Sequence, residues 1–163
     1  MSMTDRINKE LRTFAIDPTS NGFGFVVIEG NDQLIEWGVA KVWSSGNEAL
    51  VARVETFVDR YRPNLIVLED VNETRRGKRA RNRIVALARY ALSKGFAIRM
   101  VSRRQVRETF RDYGLTKFEI AMAITNIFPE LAPRMPRYRK PWMSEDPRMN
   151  IFDAVSFALA CLS

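Results

Sequence analysis

The order of apolar runs along this chain predicts an α/β fold: a mixed five-stranded sheet flanked by helices. Three observations predict it. Three β-rich runs come first, joined by tight turns, which implies an antiparallel meander. Two further apolar runs of strand length then alternate with helical segments, which gives parallel neighbours and right-handed crossovers. The length, 163 residues at 46% hydrophobic, suits one core, so residues 1–163 are read as a single domain.

The first strand is carried by Phe14-Ala15-Ile16 and stops at Asp17. Pro18 to Gly22 has turn chemistry, and Phe23 to Ile28 forms the second strand. Gly30-Asn31-Asp32 turns the chain into a third strand, Leu34 to Trp43, where Ile35, Trp37 and Val39 alternate with polar or small neighbours. Gly46 to Tyr61 has helical period through Leu50, Val54, Phe57 and Val58, and Arg62-Pro63-Asn64 ends it. Leu65 to Leu68 is a fully apolar fourth strand, followed by Glu69 and Asp70. A helix over Ile84–Leu92 closes at Gly95, and Phe96 to Val101 is the fifth strand.

Ser102 and Gln105 form an S-x-x-Q capping box for a short helix through Phe110. Thr116 and Glu119 form a T-x-x-E box for a helix through Phe128. Pro129 to Pro147 holds five prolines and several bases and reads as a long loop. Asp146 then has the chemistry of an N-cap, with Pro147 first in a final helix that runs to about Leu162.

Composition removes whole classes of chemistry. The chain has no histidine. Ser-His and Cys-His nucleophiles, histidine acid–base catalysis and His-ligated zinc are therefore excluded. One cysteine excludes an intramolecular disulfide and a cysteine-cluster zinc site. No apolar run approaches the ~20 residues of a membrane span, and MSMTDRINKE lacks the apolar stretch of a signal peptide. A cytoplasmic protein without membrane partners is expected. Catalysis, if present, rests on carboxylates, lysine, hydroxyls or an oxygen-bound ion such as Mg²⁺ or Mn²⁺.

Asp17 and Glu69 each close an apolar strand, where open α/β sheets place their sites. On the final helix, Asp153 is the only charged residue after Arg148. A lone carboxylate on such an apolar helix is costly unless cations or strong donors meet it. Asp146, Asn150 and Asp153 have the i, i+4, i+7 spacing of one helix face. A plain cap is the simpler role for Asp146. Three acids directed to one rim form the oxygen-rich cluster that a hard dication needs.

Bases point to a polyanion. Lys and Arg total 26 against 19 Asp and Glu, net +7, and 20 of the 26 are arginine, whose planar fork suits phosphate. From Thr74 to Arg107 there is no acid and there are twelve bases. Arg75, Arg76, Lys78, Arg79, Arg81 and Arg83 stand in its first part, and Arg103 and Arg104 near its end. Contacts of this kind supply affinity to phosphate without sequence readout. A second set, Arg137, Arg139 and Lys140, is interleaved with Tyr138 and Trp142, a mixture that suits stacking on unpaired bases.

Together, FAIDPTSNGFGFVVIE, NLIVLEDV, VSRRQVRETF, LTKFEIAMAI and NIFDAVSFALA resemble, in order and spacing, the motifs of the RuvC-type Holliday-junction resolvases of the RNase H-like superfamily. The resemblance covers about Phe14 to Leu162. It implies an RNase H-like fold and a Mg²⁺- or Mn²⁺-dependent endonuclease that acts on branched DNA. It also implies a homodimer making paired nicks across a four-way junction. Asp17, Glu69 and Asp153 take the family's metal-carboxylate positions, and Lys117 takes that of a lysine near the scissile phosphate. Two departures accompany it. Asn150 stands where the family usually has a fourth carboxylate, for which Asp146 or Glu145 is a substitute. Asn72 stands where an aromatic residue often stacks near the junction centre. The Asn150 departure leaves a second reading open: a weakened nuclease that binds structured nucleic acid without cutting.

Overall fold

The computed structural model describes residues 11–44 and 46–163, together with Met3. The signal-peptide reading of the first ten residues falls largely outside that range. Five strands form one sheet: β1 Arg12–Thr19, β2 Gly22–Glu29, β3 Gln33–Lys41, β4 Leu65–Glu69 and β5 Ala97–Val101. Their order is β3-β2-β1-β4-β5. β1, β2 and β3 pair antiparallel, while β4 lies parallel to both β1 and β5. The helices are α1 Asn47–Tyr61, α2 Lys78–Ser93, α3 Arg103–Thr109, α4 Lys117–Ile127 and α5 Met149–Leu162. The mixed five-stranded sheet with flanking helices is the architecture the sequence predicts.

Strand parity divides the core. Phe14, Ile16, Phe23, Phe25 and Val27 pack on one face with Leu50, Val54 and Val58 of α1 and Ile84 and Leu87 of α2. Ala15, Val26, Ile28 and Val67 pack on the other with α3, α4 and α5. Because side chains alternate along a strand, Asp17 shares the face of Ala15, and Glu69 shares that of Val67. Both acids thus project toward the layer that carries Asp153.

β1 pairs with β4 only from Thr13 to Ala15, yet continues against β2 to Thr19. The strands separate where Asp17 and Glu69 lie, which opens a crevice at their carboxyl ends. Pro18 falls in this singly paired stretch, where a missing N–H donor is tolerated. Gly24, opposite Asp17 in the ladder, lets α5 sit directly on β2, since a Cβ there would overlap the Asn150 backbone.

Some boundaries differ from the sequence reading. α2 starts at Lys78 rather than Ile84, its first turns being polar and therefore silent in an apolar period; it ends before Gly95, whose φ is 79°. The Pro129–Pro147 segment is not wholly loop, because Pro129–Arg134 forms a 3₁₀ helix anchored by buried Leu131. Asp146 is not the N-cap of α5. That position is held by Arg148, and Asp146 instead accepts the Arg148 N–H at 2.9 Å in the turn before the helix. No described helix is long and apolar enough to cross a membrane.

Candidate active site and nucleic-acid interface

A cleft of about 920 Å³ opens at the carboxyl ends of β1 and β4. Asp17, Glu69, Asn150, Asp153 and Lys117 all line it. Asp17, Glu69 and Asp153 are 3, 1 and 4% exposed, so three carboxylates lie almost wholly out of water. Such burial is strongly unfavourable without compensation.

Compensation comes from an alternating chain of charges. Arg76 Nη1 lies 2.9 Å from Asp17 Oδ1 and 3.8 Å from Glu69 Oε1. Arg103 reaches Glu69 Oε1 at 3.6 Å and Asp153 Oδ1 at 3.0 Å. Lys117 Nζ is 3.2 Å from Asp153 Oδ2 and 3.3 Å from Glu145 Oε1. Carboxylate and cation therefore alternate from Asp17 to Glu145. Arg76 also donates to the Pro18 carbonyl, and the Arg103 guanidinium lies 4.7 Å from the Phe157 ring centre.

Local sequence sets these positions. The Ser102–Gln105 capping box is formed with both of its hydrogen bonds. It starts α3 immediately after β5 and directs Arg103, the first helical residue, across the cleft. Thr116 Oγ1 accepts the Glu119 N–H at 3.1 Å and starts α4 at Lys117.

The Asp17 pKa is raised to about 7, chiefly by burial and also by the Asp153 charge, with Arg76, Arg103 and Lys117 acting against the rise. For Arg103, burial opposes the charge, but Asp153, Asp17 and Glu69 hold its pKa above the ordinary value. Glu69 Oε1 is buried and, among the described residues, accepts no hydrogen bond.

These observations test the fit of a divalent cation. Among the described residues no three acidic side chains close on a common point; Arg76 and Arg103 stand between them. The donor chemistry is nevertheless that of a hard-cation site: three buried carboxylates, one of them with an orphaned oxygen, and the Asn150 amide alongside. The donor types suit a dication, and in this structure Arg76 and Arg103 occupy the carboxylates instead.

Asp146 does not join this set. Its carboxylate is held by Arg148, with Oδ2 at 2.6 Å from Nη2, and the ion pair lowers its pKa. It borders a separate depression beside Tyr138 and Arg139. Glu145, the other substitute, does line the cleft.

The basic residues divide into groups. Arg75, Arg76, Arg103 and Arg104 line the cleft together with Arg107. Lys78 and Arg79 line a neighbouring groove, and Arg81 is exposed beside it. Arg137, Arg139 and Lys140 are exposed on the Lys117 side. Arg83 departs from the expectation of an open phosphate contact: it is buried and donates to the Ser20 carbonyl at 2.8 Å. Its place in a basic run concealed that it lies on the inner side of α2. Sequence reasoning also missed that Arg76 and Arg103 are the counter-ions of the acids. The available signal was the position of Arg103 directly after a capping serine at the end of a parallel strand.

Neither a family model nor a curated protein matches the chain. Solved structures do. Thermus thermophilus RuvC in complex with Holliday junction substrate superposes with a TM-score of 0.64 at 19% identity, covering 92% of this chain and 91% of that one. A second Thermus thermophilus RuvC structure gives a TM-score of 0.63 at 20% identity, covering 92% of each chain. The chain thus has the fold of the RuvC-type Holliday-junction resolvases, the RNase H-like fold that its motifs imply.

Proposed function

We propose that this protein is a Mg²⁺- or Mn²⁺-dependent endonuclease that cleaves phosphodiesters in branched DNA, acting as a homodimer to place paired nicks across a four-way junction. The observation that carries this reading is the burial of Asp17, Glu69 and Asp153 in one cleft surrounded by arginine. A dimer matches the two-fold symmetry of such a junction.

Asp17, Glu69 and Asp153 would hold the cation, with the Asn150 amide as a neutral fourth donor. When bound, the ion supplies a nucleophilic water at neutral pH and charge stabilisation for the phosphoryl group. Lys117, beside Asp153, stabilises negative charge that develops on the phosphate. Arg76 and Arg103 neutralise the acids in the resting protein and turn to the DNA backbone as the site loads. Arg75, Arg104 and Arg107 along the same cleft anchor flanking phosphates without reading sequence.

The same two arginines favour a second reading. A cleft whose acids are already neutralised binds DNA without cutting it. A nicking assay on a synthetic four-way junction separates the two. The nuclease reading expects cleavage with Mg²⁺ or Mn²⁺, none in EDTA, and loss of at least a hundredfold in Asp17→Asn, Glu69→Gln and Asp153→Asn with binding retained. Cleavage in EDTA, or wild-type rates in Asp17→Asn, overturns it. Metal-independent binding without any cleavage establishes the second reading.

A further inference from the structure

Beside the cleft lies a second concavity, a groove of about 480 Å³ between the start of α1 and the start of α2. Gly46 and Asn47 contribute the N-terminal end of α1, and Lys78, Arg79, Asn82 and Arg83 contribute the wall from α2. Among the described residues no side chain caps the first turn of the 15-residue α1, which carries Glu48, so N–H groups at its start face this region. Among the described residues no acidic side chain lines the groove.

Arg83 adds an independent observation. It is 5% exposed, and among the described residues no carboxylate pairs with it. Its side chain donates to the Ser20 carbonyl. A buried cation without a counter-ion is unfavourable in the free protein. Burial, with Arg79 and Arg76 nearby, pulls its pKa below the ordinary arginine value. The wall of this groove therefore lacks an anion.

Trp43 stands on the loop that leads into α1 at this groove. It is 92% exposed, an unusual state for the largest apolar side chain, and Lys41 Nζ sits 5.9 Å from its ring. It lies three residues before Gly46. Two bonds fix its relation to the groove: the Val42 N–H donates to the Asn21 carbonyl at 2.8 Å, and Arg83 donates to the carbonyl of Ser20, the preceding residue. One β1–β2 turn thus ties the Trp43 loop to the Arg83 wall. Thr19 and Ser20 of that turn also line the carboxylate cleft.

We propose that this groove and Trp43 form a subsite for an unpaired DNA strand next to the cleaved phosphate, with the backbone held by Lys78, Arg79 and the start of α1 and one base stacked on Trp43. This rests on the DNA-directed reading of the cleft. Stacking selects the occupant: an indole face engages an unpaired base of any sequence, whereas bases within a duplex present no free face.

The test uses the full chain in EDTA, which permits binding without cleavage. The probes are a dT₈ oligonucleotide, a blunt duplex and a four-way junction with 2-aminopurine at the branch. Trp43→Ala is expected to weaken dT₈ and junction binding by about 5- to 100-fold with duplex binding unchanged. Trp43→Phe, which keeps a ring, should restore most of that affinity while removing most of the tryptophan quench that dT₈ causes in the wild type. Lys78→Ala with Arg79→Ala should weaken all three probes and make the single-strand salt slope shallower by roughly one to two. Trp43 is exposed, so circular dichroism is expected to match the wild type. Unchanged dT₈ affinity in Trp43→Ala, or a quench lost in Trp142→Phe instead of Trp43→Phe, overturns the subsite. So does a change from dimer to monomer in Trp43→Ala with DNA affinity intact. Absence of binding to any of the three probes by the wild type overturns the DNA-directed reading itself.

Discussion

Arg103 and Arg83 are both drawn into the folded protein, and their surroundings have opposite character. Arg103 crosses the cleft between Glu69 and Asp153, and the acids around it raise its pKa. Arg83 meets a backbone carbonyl and other arginines, and its pKa is lowered. The cleft is therefore a self-neutralised cluster, in which removal of one member leaves a buried charge exposed to its neighbours. The adjoining groove is an uncompensated cationic surface, in which removal of a charge relieves repulsion. The same residue type is a counter-ion to acids in one place and a carbonyl-bonded cation without an acid partner in the other.

Replacing each arginine with methionine sharpens this contrast, and the largest effect belongs to the cleft. Arg103→Met leaves Glu69 and Asp153 without their shared cation. Breaking a buried pair from one side costs about 3–5 kcal/mol. At roughly 2–4 °C per kcal/mol for a chain of this size, the melting temperature in metal-free buffer should fall by roughly 6–20 °C. An unchanged melting temperature shows that the cluster is not self-neutralised.

Asp17→Asn acts on the same cluster in the other direction. The folded-state pKa of Asp17 is raised to about 7 from 3.8, so its charge disfavours folding. That penalty is absent below about pH 4, grows as the pH rises toward 7, and is constant above. Without metal, the melting temperature of Asp17→Asn relative to wild type should therefore climb between pH 4 and 7, by up to about 1.4 kcal/mol of stability per pH unit, and then level off. A difference that is flat with pH, or that shrinks, contradicts the assignment of burial as the leading cause.

Ser102→Ala removes the side chain that starts α3 beneath Arg103. Loss of an N-cap costs about 1 kcal/mol, so a drop of roughly 2–4 °C is expected, together with weaker junction cleavage. A cleavage rate equal to wild type indicates that Arg103 is positioned without the cap. Arg83→Met has the smallest effect on stability, within about 1 kcal/mol of zero, because one hydrogen bond is lost while a buried charge disappears. DNA affinity should fall nonetheless. A melting shift as large as that of Arg103→Met would erase the contrast between the two regions.

What the sequence by itself determined was local or periodic. The alternation Phe23, Phe25, Val27 against Val26 and Ile28 defines a strand buried on both faces. The S-x-x-Q pattern starts α3, and the absence of histidine restricts catalysis to carboxylates and bases. Strand-end position singled out Asp17 and Glu69, and the isolation of Asp153 on an apolar helix singled out the third acid. The two α2 turns before Ile84 lacked an apolar period, and the 3₁₀ turn around Leu131 lay hidden among prolines. The tertiary structure alone decided the pairing of charges. Arg76, Arg83 and Arg103 are equivalent in a basic run, yet one helix face and two strand ends assign the first and last to acids and the middle one to a carbonyl. Asp146 and Glu145 are adjacent in sequence, yet only Glu145 lines the cleft. Such choices depend on which groups approach within a few ångströms after the sheet and helices pack, because the stabilisation of a buried charge falls off over that distance and is set by its partners rather than by its own residue type.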